Sequence, residues 1–387
     1  MKFFKVLLLS LLSLNIFGVE VELVARANSY GSYNLPDTSY ISNSTIKNNG
    51  KNSIAFSFVT IVEEEVHMGL WLRNDHYPKG ETLHIAAVGN YVSDPSINEK
   101  GDMVFSVYNE LELVGLYFYD FKDNKLEKIL DSNGGEYVSL RDPLLNNSGT
   151  ILFGLTFKSG EKTVATLRNG KMSTIASNKE EDIAYLFGAA FYNGNQIALK
   201  VREGSSLADS QPDTIRIYKS SGRFSRINSD VDFDSNSIFS EFNNSLGTHF
   251  SSKYVAFVAK LTNGKRVLVR QLGDKVEIIA TEGEGGISTL EYFAPSINED
   301  GNIAFRAMNA QQKRAIFFFD GFVVREVLTE GNLVFSDQST AVIHASNGPA
   351  FGGSITINKS NEIVLQARIF TKYLETALGT AVLKITP

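Results

Sequence analysis

A short segment recurs along this chain, and it constrains the fold more than any other feature. It reads Pro-Ser-Ile-Asn-Glu-Asp-Gly-Asn-Ile-Ala-Phe at residues 295–305 and Pro-Ser-Ile-Asn-Glu-Lys-Gly-Asp-Met-Val-Phe at residues 95–105, with weaker copies at 143–153 and 355–365. Taking the Ala of Ile-Ala-Phe as a register mark places copies at Ala55, Val104, Leu152, Ala198, Ala256, Ala304 and Val364. The successive gaps are 49, 48, 46, 58, 48 and 60 residues, so two copies are preceded by insertions. Self-similarity at this period marks an array of like supersecondary units, each needing its neighbours to bury an apolar face.

Each unit carries the same grammar. In the sixth, a short strand meets the turn Asn298-Glu-Asp-Gly301, a second strand follows, and Asp320-Gly321 turns a third strand into a fourth. Asn bonds its own backbone two residues on, and Gly supplies positive φ without steric cost, so Asn-x-x-Gly is a hairpin device. Where the Gly is missing, Asn52, Asn195 or Asn361 stands in its place, and Asn is the next best residue there. Asn169-Gly170, Ser221-Gly222 and Gly273-Asp274 are hairpin signals between third and fourth strands. Four antiparallel strands per unit is the pattern of a β-propeller blade. The expected fold is therefore all-β: a seven-bladed β-propeller of four-stranded antiparallel blades. The blades are expected at about 44–88, 95–131, 143–176, 187–228, 250–280, 294–328 and 351–387.

The two ends complement each other. Residues 380–386 read as a third strand with no fourth after it, and Val-Glu-Leu-Val-Ala at 21–25 resembles the fourth strands of other units. An N-terminal strand at 19–26 is thus expected to complete the last blade, which protects the edges an open array would expose. Residues 1–18 combine Lys2 and Lys5 with an apolar run too short to span a bilayer, the form of a secretory signal peptide. Residues 19–387 form a single domain with no cysteine, so packing alone must hold it. A formal net charge of −6 argues against nucleic-acid binding. No second apolar run reaches membrane length, and a soluble monomer is expected.

The words Asn298-x-x-Gly301-x-x-Ala304-Phe305 resemble the motif of bacterial exported tandem-repeat proteins named for that pattern. Asn98, Gly101 and Phe105 match with Val104 in the Ala place, and Asn146, Gly149 and Phe153 match with Leu152 there. Asn49, Ala55 and Phe56 match with Asn52 in the Gly place, whereas Tyr192 and Phe250 stand where Asn is due in two copies. The resemblance implies an extracytoplasmic propeller of TolB-like architecture, periplasmic or secreted, with no settled biochemical activity.

In a blade, the one–two and three–four turns share one face, and they are tight here. The other face carries the longer connections, at 26–43, 60–67, 203–212, 228–250 and 329–350. Long loops on a rigid scaffold are where binding usually resides. Tyr91, Tyr108, Glu291 and Tyr292 on that face are candidate binding residues. Asp230, Asp232, Asp234 and Asn236 alternate as in a calcium loop, but Ser235 and Ile238 occupy places such a loop needs for Gly and a ligand. No other cofactor is indicated. The histidines lack zinc spacing and no Gly-x-Ser-x-Gly elbow occurs. The expected function is a non-catalytic binding or scaffold propeller engaging a protein or envelope glycan through its long-loop face. The alternatives are a carbohydrate-active hydrolase or lyase using the central channel, and a structural envelope protein.

Overall fold

A computed structural model of the chain describes residues 18–28, 31–41, 45–110, 112–180, 182–205, 212–249, 251–337, 339–346, 348–373 and 376–387. The leader-like residues 1–17 and the degenerate-copy residue Phe250 lie outside the described residues. The strands form seven antiparallel sheets, and each sheet follows chain order from its first strand to its fourth. The seventh is the exception, because its outer strand is Glu20–Arg26 from the N-terminus, paired with Ala377–Thr386. The ring is thus a seven-bladed propeller closed as the chain ends suggest. Val24 and Ala25 are buried, and Arg26, almost fully buried, pairs with Asp337 and donates to the Leu378 carbonyl.

An apolar cluster fills each of the seven seams between neighbouring blades. The Ala-Phe pair of the repeat explains how. Successive residues of a strand point to opposite faces, so Ala304 enters the cluster toward the seventh blade while Phe305 enters the one toward the fifth. Ala55 and Phe105 meet in one seam, as do Ala198 and Phe257 in another. A small residue from one blade faces a large one from the next, which fills the seam without strain.

The Asn of the repeat has two roles. Its Oδ1 accepts from backbone amides two and four residues on, as at Asn298 with Asp300 and Asn302. Its Nδ2 reaches the neighbouring blade: Asn49 donates to the Asn98 carbonyl, Asn98 to that of Asn146, Asn298 to that of Asn358, and Asn358 to that of Asn49. The Ser two residues before it is a latch as well, since Ser96 and Ser296 accept from the amides of Leu145 and Ile357. In the fourth blade Tyr192 takes over and donates to the Lys253 carbonyl.

The structure corrects three expectations. Asn52 and Asn361 have φ of 66° and 64°, as a Gly substitute should, but Asn195 does not; Asn193 and Gly194 make that turn, at 40° and 86°. Residues 60–67 are no loop, because strands Ile54–Val62 and Glu65–Arg73 run on into a hairpin. The connections at 228–250 and 329–350 contain strands, including Phe239–Phe242 and Thr340–Ile343. These are upper halves of innermost strands, separated from the lower halves by irregular segments. The innermost strands therefore start earlier than the repeat suggests, at Tyr137 and Ile183 in the third and fourth blades.

Candidate functional site

The innermost strands line the central channel. Its narrow part is a cavity of about 260 Å³ bounded by short side chains such as Thr45, Ser96, Ser296 and Thr356, with His249 and Glu99. Among the described residues Glu99 is its only lining carboxylate, and it sits 3.5 Å from the Lys359 ammonium. Burial pushes the His249 imidazole down to about 4, so the ring stays neutral.

On the long-loop face the channel widens into a cleft of about 630 Å³ that runs outward between the third and fourth blades. Two bulges shape it. Arg141 pairs with Gly154 and Leu144 with Leu152, which leaves an irregularity at the turn of the third inner strand. Leu186 pairs with Val201 and Ala189 with Leu199, which pushes Phe187 and Gly188 out of the ladder of the fourth. Phe187 thereby lies over the Lys200 ammonium, 4.1 Å from ring centroid to Nζ.

The cleft wall is aromatic and cationic. Tyr91 and Tyr108 are cross-strand partners with stacked rings 5.7 Å apart. Tyr185 packs edge-on against Phe187 and under the Lys162 ammonium, 5.0 Å away. Arg141 is exposed, and among the described residues its guanidinium has no hydrogen-bond or ion-pair partner. Glu110, also exposed, is the only carboxylate among the described lining residues. Beneath the floor Lys200 is 1% exposed and bonds to Asp213, the Phe242 carbonyl and Asn244. Burial pulls its ammonium below the usual lysine range, and Asp213 opposes that pull.

Of the four candidate binding residues, Tyr91 and Tyr108 belong to this cleft; Glu291 and Tyr292 do not. Glu291 is ion-paired to Arg306 and Arg314 in the sixth blade. Tyr292 holds the Arg266 guanidinium over its ring at 4.0 Å and borders a crevice of about 20 Å³. The alternating acids do not form a cation loop. Asp230 is buried and accepts from the amides of Asp213 and Phe233, while Asp234 accepts from Asn236. Among the described residues no three His, Asp or Glu side chains converge as a cation would need, so these residues do not fit calcium. Sequence reasoning missed Arg141, Lys162, Tyr185 and Gly154. The register of the repeat held a signal for Gly154, whose equivalents two residues after each register mark are larger.

No protein-family model matches the chain, and no curated protein matches it. Solved structures do. The β-propeller domain of the Trilobed protease from Pyrococcus furiosus superposes with a TM-score of 0.59 at 12% identity, over 87% of this chain and 93% of that one. Pyrococcus horikoshii acylaminoacyl peptidase superposes at 0.58 and 12% identity, over 89% of this chain but 52% of its own, so this chain spans about half of that peptidase. An oligogalacturonate lyase from Vibrio parahaemolyticus superposes at 0.52 and 9% identity, over 95% and 96%. At these identities the likeness shows the fold. Among the described residues no helix is long and apolar enough to cross a membrane. The expectation of a non-catalytic binding or scaffold propeller is overturned by these neighbours, which are propellers of peptidases and of a lyase.

Proposed function

We propose that this chain is a carbohydrate-active lyase that cleaves an acidic, uronate-type oligosaccharide at the wide mouth of the channel. The observation that carries this reading is the make-up of the cleft: Arg141 and Lys162 without ion-pair partners among the described residues, the rings of Tyr91, Tyr108 and Tyr185, and Glu110 as the one carboxylate among the described lining residues. Tyrosine rings present flat apolar faces to the C–H faces of a sugar. Cations in a chain of net charge −6 select a substrate that brings its own carboxylate. Hydrolysis by paired acids needs two carboxylates flanking the bond, whereas β-elimination needs one base and a partner for the uronate carboxylate. The lyase neighbour adds support because there the match takes in 96% of the partner chain, leaving little beside the propeller. The leader-like start of the sequence supports action outside the cytoplasm.

The roles follow from the chemistry. Arg141 neutralises the substrate carboxylate and so acidifies the neighbouring C5–H. Tyr185 takes the C5 proton through its hydroxyl oxygen. The C4–O4 bond then breaks with its electron pair on O4, which receives the abstracted proton from Tyr185 as it leaves, and a C4=C5 double bond forms. No water and no oxidant are consumed. Proton transfer by a positioned group contributes about 10²- to 10⁴-fold.

The test is incubation with polygalacturonate and alginate beside neutral glucans, following the ultraviolet absorbance of the unsaturated product. Absorbance rising on a uronate polymer alone supports the reading. Chain shortening without unsaturation makes the enzyme a hydrolase, and no cleavage of any uronate polymer overturns the proposal.

A further inference from the structure

One position on the second strand of every blade, two residues after the register mark, faces the next blade: Ser57, Ser106, Gly154, Lys200, Val258, Arg306 and Gln366. Four of these side chains clasp the neighbouring inner strand. Ser106 donates to the Leu140 carbonyl, Lys200 to that of Phe242, Arg306 to those of Gly353 and Phe351, and Gln366 to that of Ile41. Val258 joins the apolar cluster of its seam, and Ser57 is buried. Only the third blade has no side chain there. A Cβ built on Gly154 would meet nothing closer than the Arg141 carbonyl, at 4.0 Å.

That gap coincides with the cleft. Below it the seam is shut by Leu152, Val164, Ile183 and Phe191. Above it Gly154, Thr156, Lys162 and Tyr185 line the cavity. Gly154 is also the direct cross-strand partner of Arg141, and paired residues share a face of the sheet. The missing side chain therefore both opens the seam and leaves room beside the Arg141 stem.

We infer that the seam between the third and fourth blades is a subsite for one uronate ring, kept open by the absence of a side chain at Gly154. The inference rests on reading the cleft as an acidic-carbohydrate site, and names the residue that determines it. The Arg141 and Lys162 cations take the carboxylate, with the Tyr185 ring packed beneath the Lys162 ammonium. Gly154 is a specificity-determining position rather than a catalytic residue.

The test is Gly154→Gln, which copies the latch seen at Gln366, with Gly154→Ser copying Ser106 as the milder variant should Gln fail to fold. Val258→Gln makes the same change in a seam whose crevice, about 20 Å³, is far smaller than the cleft. Binding of trigalacturonate, with maltotriose as the neutral counterpart, is measured by calorimetry beside melting temperature and turnover. The expected result is that Gly154→Gln weakens trigalacturonate binding at least tenfold with an unchanged or raised melting temperature, while folded Val258→Gln keeps wild-type affinity. Wild-type affinity in a folded Gly154→Gln, or in Gly154→Ser if only that folds, overturns the subsite even if turnover persists. Wild-type protein that binds trigalacturonate but cleaves no uronate, with binding lost in the Gly154 variants, keeps the subsite and sinks the lyase reading. Preference for maltotriose overturns the acidic ligand class.

Discussion

The side-chain amide of Asn358 donates to the backbone carbonyl of Asn49, 3.0 Å away and 309 positions distant in sequence. The bond joins the last blade to the first on the tight-turn face, while Glu20–Arg26 seals the same blade at its outer edge. Asn358 Oδ1 meanwhile accepts from the amides of Ser360 and Glu362. Replacing Asn358 with Ala removes both turn bonds and the bond across the seam, leaving buried partners unsatisfied. The expected loss is ~2–3 kcal/mol, at about 1 kcal/mol per bond, read from denaturant midpoints. A loss within experimental error of zero would show that the latch contributes nothing.

Truncation should separate leader from closing strand. A chain beginning at Val19 keeps every rung between Glu20–Arg26 and Ala377–Thr386. A chain beginning at Ala27 loses them together with the Arg26–Asp337 pair, and bares a long strand edge. The second chain is expected to melt well below the first and to aggregate. Coincident melting curves would refute closure by this strand.

The turn glycines differ in what surrounds them. Gly149 and Gly301 both have positive φ, 75° and 83°. Around Gly149 a Cβ would find open space, but at Gly301 it would sit 2.8 Å from the Tyr254 ring and 3.1 Å from Arg270. Gly149→Asn is therefore expected to cost less than ~1 kcal/mol, since Asn tolerates this conformation. Gly301→Asn should cost distinctly more, because conformation and contact both oppose it. Equal midpoint shifts would leave backbone conformation as the whole explanation.

His249 predicts an acid limb. Its folded value is about 4 against an ordinary 6.5, because burial disfavours the charged ring. The unfolded chain thus binds the proton first as pH falls. The stability from keeping this ring neutral is full above about pH 6.5, declines below it, and is lost by about pH 4. The decline from this group amounts to roughly 3 kcal/mol at most. His249→Gln should flatten that part of the stability–pH curve relative to wild type. Identical slopes between pH 6.5 and 4 would mean that the ring titrates freely.

The propeller was legible because its hinge points are spelled in residue types with one physical use. Asn298 and Gly301 mark a turn wherever they recur, and the Ala304-Phe305 pair marks a strand between two seams. The upper halves of the innermost strands had no such marker. Ile287–Leu290 is four residues long and is separated from Ser296–Ile297 by an irregular stretch, so it read as loop. The cleft was harder still. It depends on Gly154, whose contribution is an absence, and on Arg141, which faces the seam only because it pairs with Gly154 in the ladder. Glu291 looked available in sequence, but its charge is engaged by two arginines across neighbouring strands.

The two halves of the aromatic candidate set should behave differently. Tyr91 and Tyr108 stack on each other at the cleft wall, where a sugar ring can lie on them. Tyr292 is 62% exposed and already carries the Arg266 guanidinium over its face. Tyr91→Ala and Tyr108→Ala are expected to raise KM for a uronate oligomer several-fold, since their rings bind substrate without joining proton transfer. Arg141→Ala should lower kcat/KM by about 10²-fold or more, because neutralising the carboxylate counts most as charge develops in the transition state. Its exposure predicts an unchanged melting temperature. Tyr292→Ala should leave both constants at wild-type values. A Tyr292 variant as impaired as the Tyr91 variant would move the site from the third and fourth blades to the sixth.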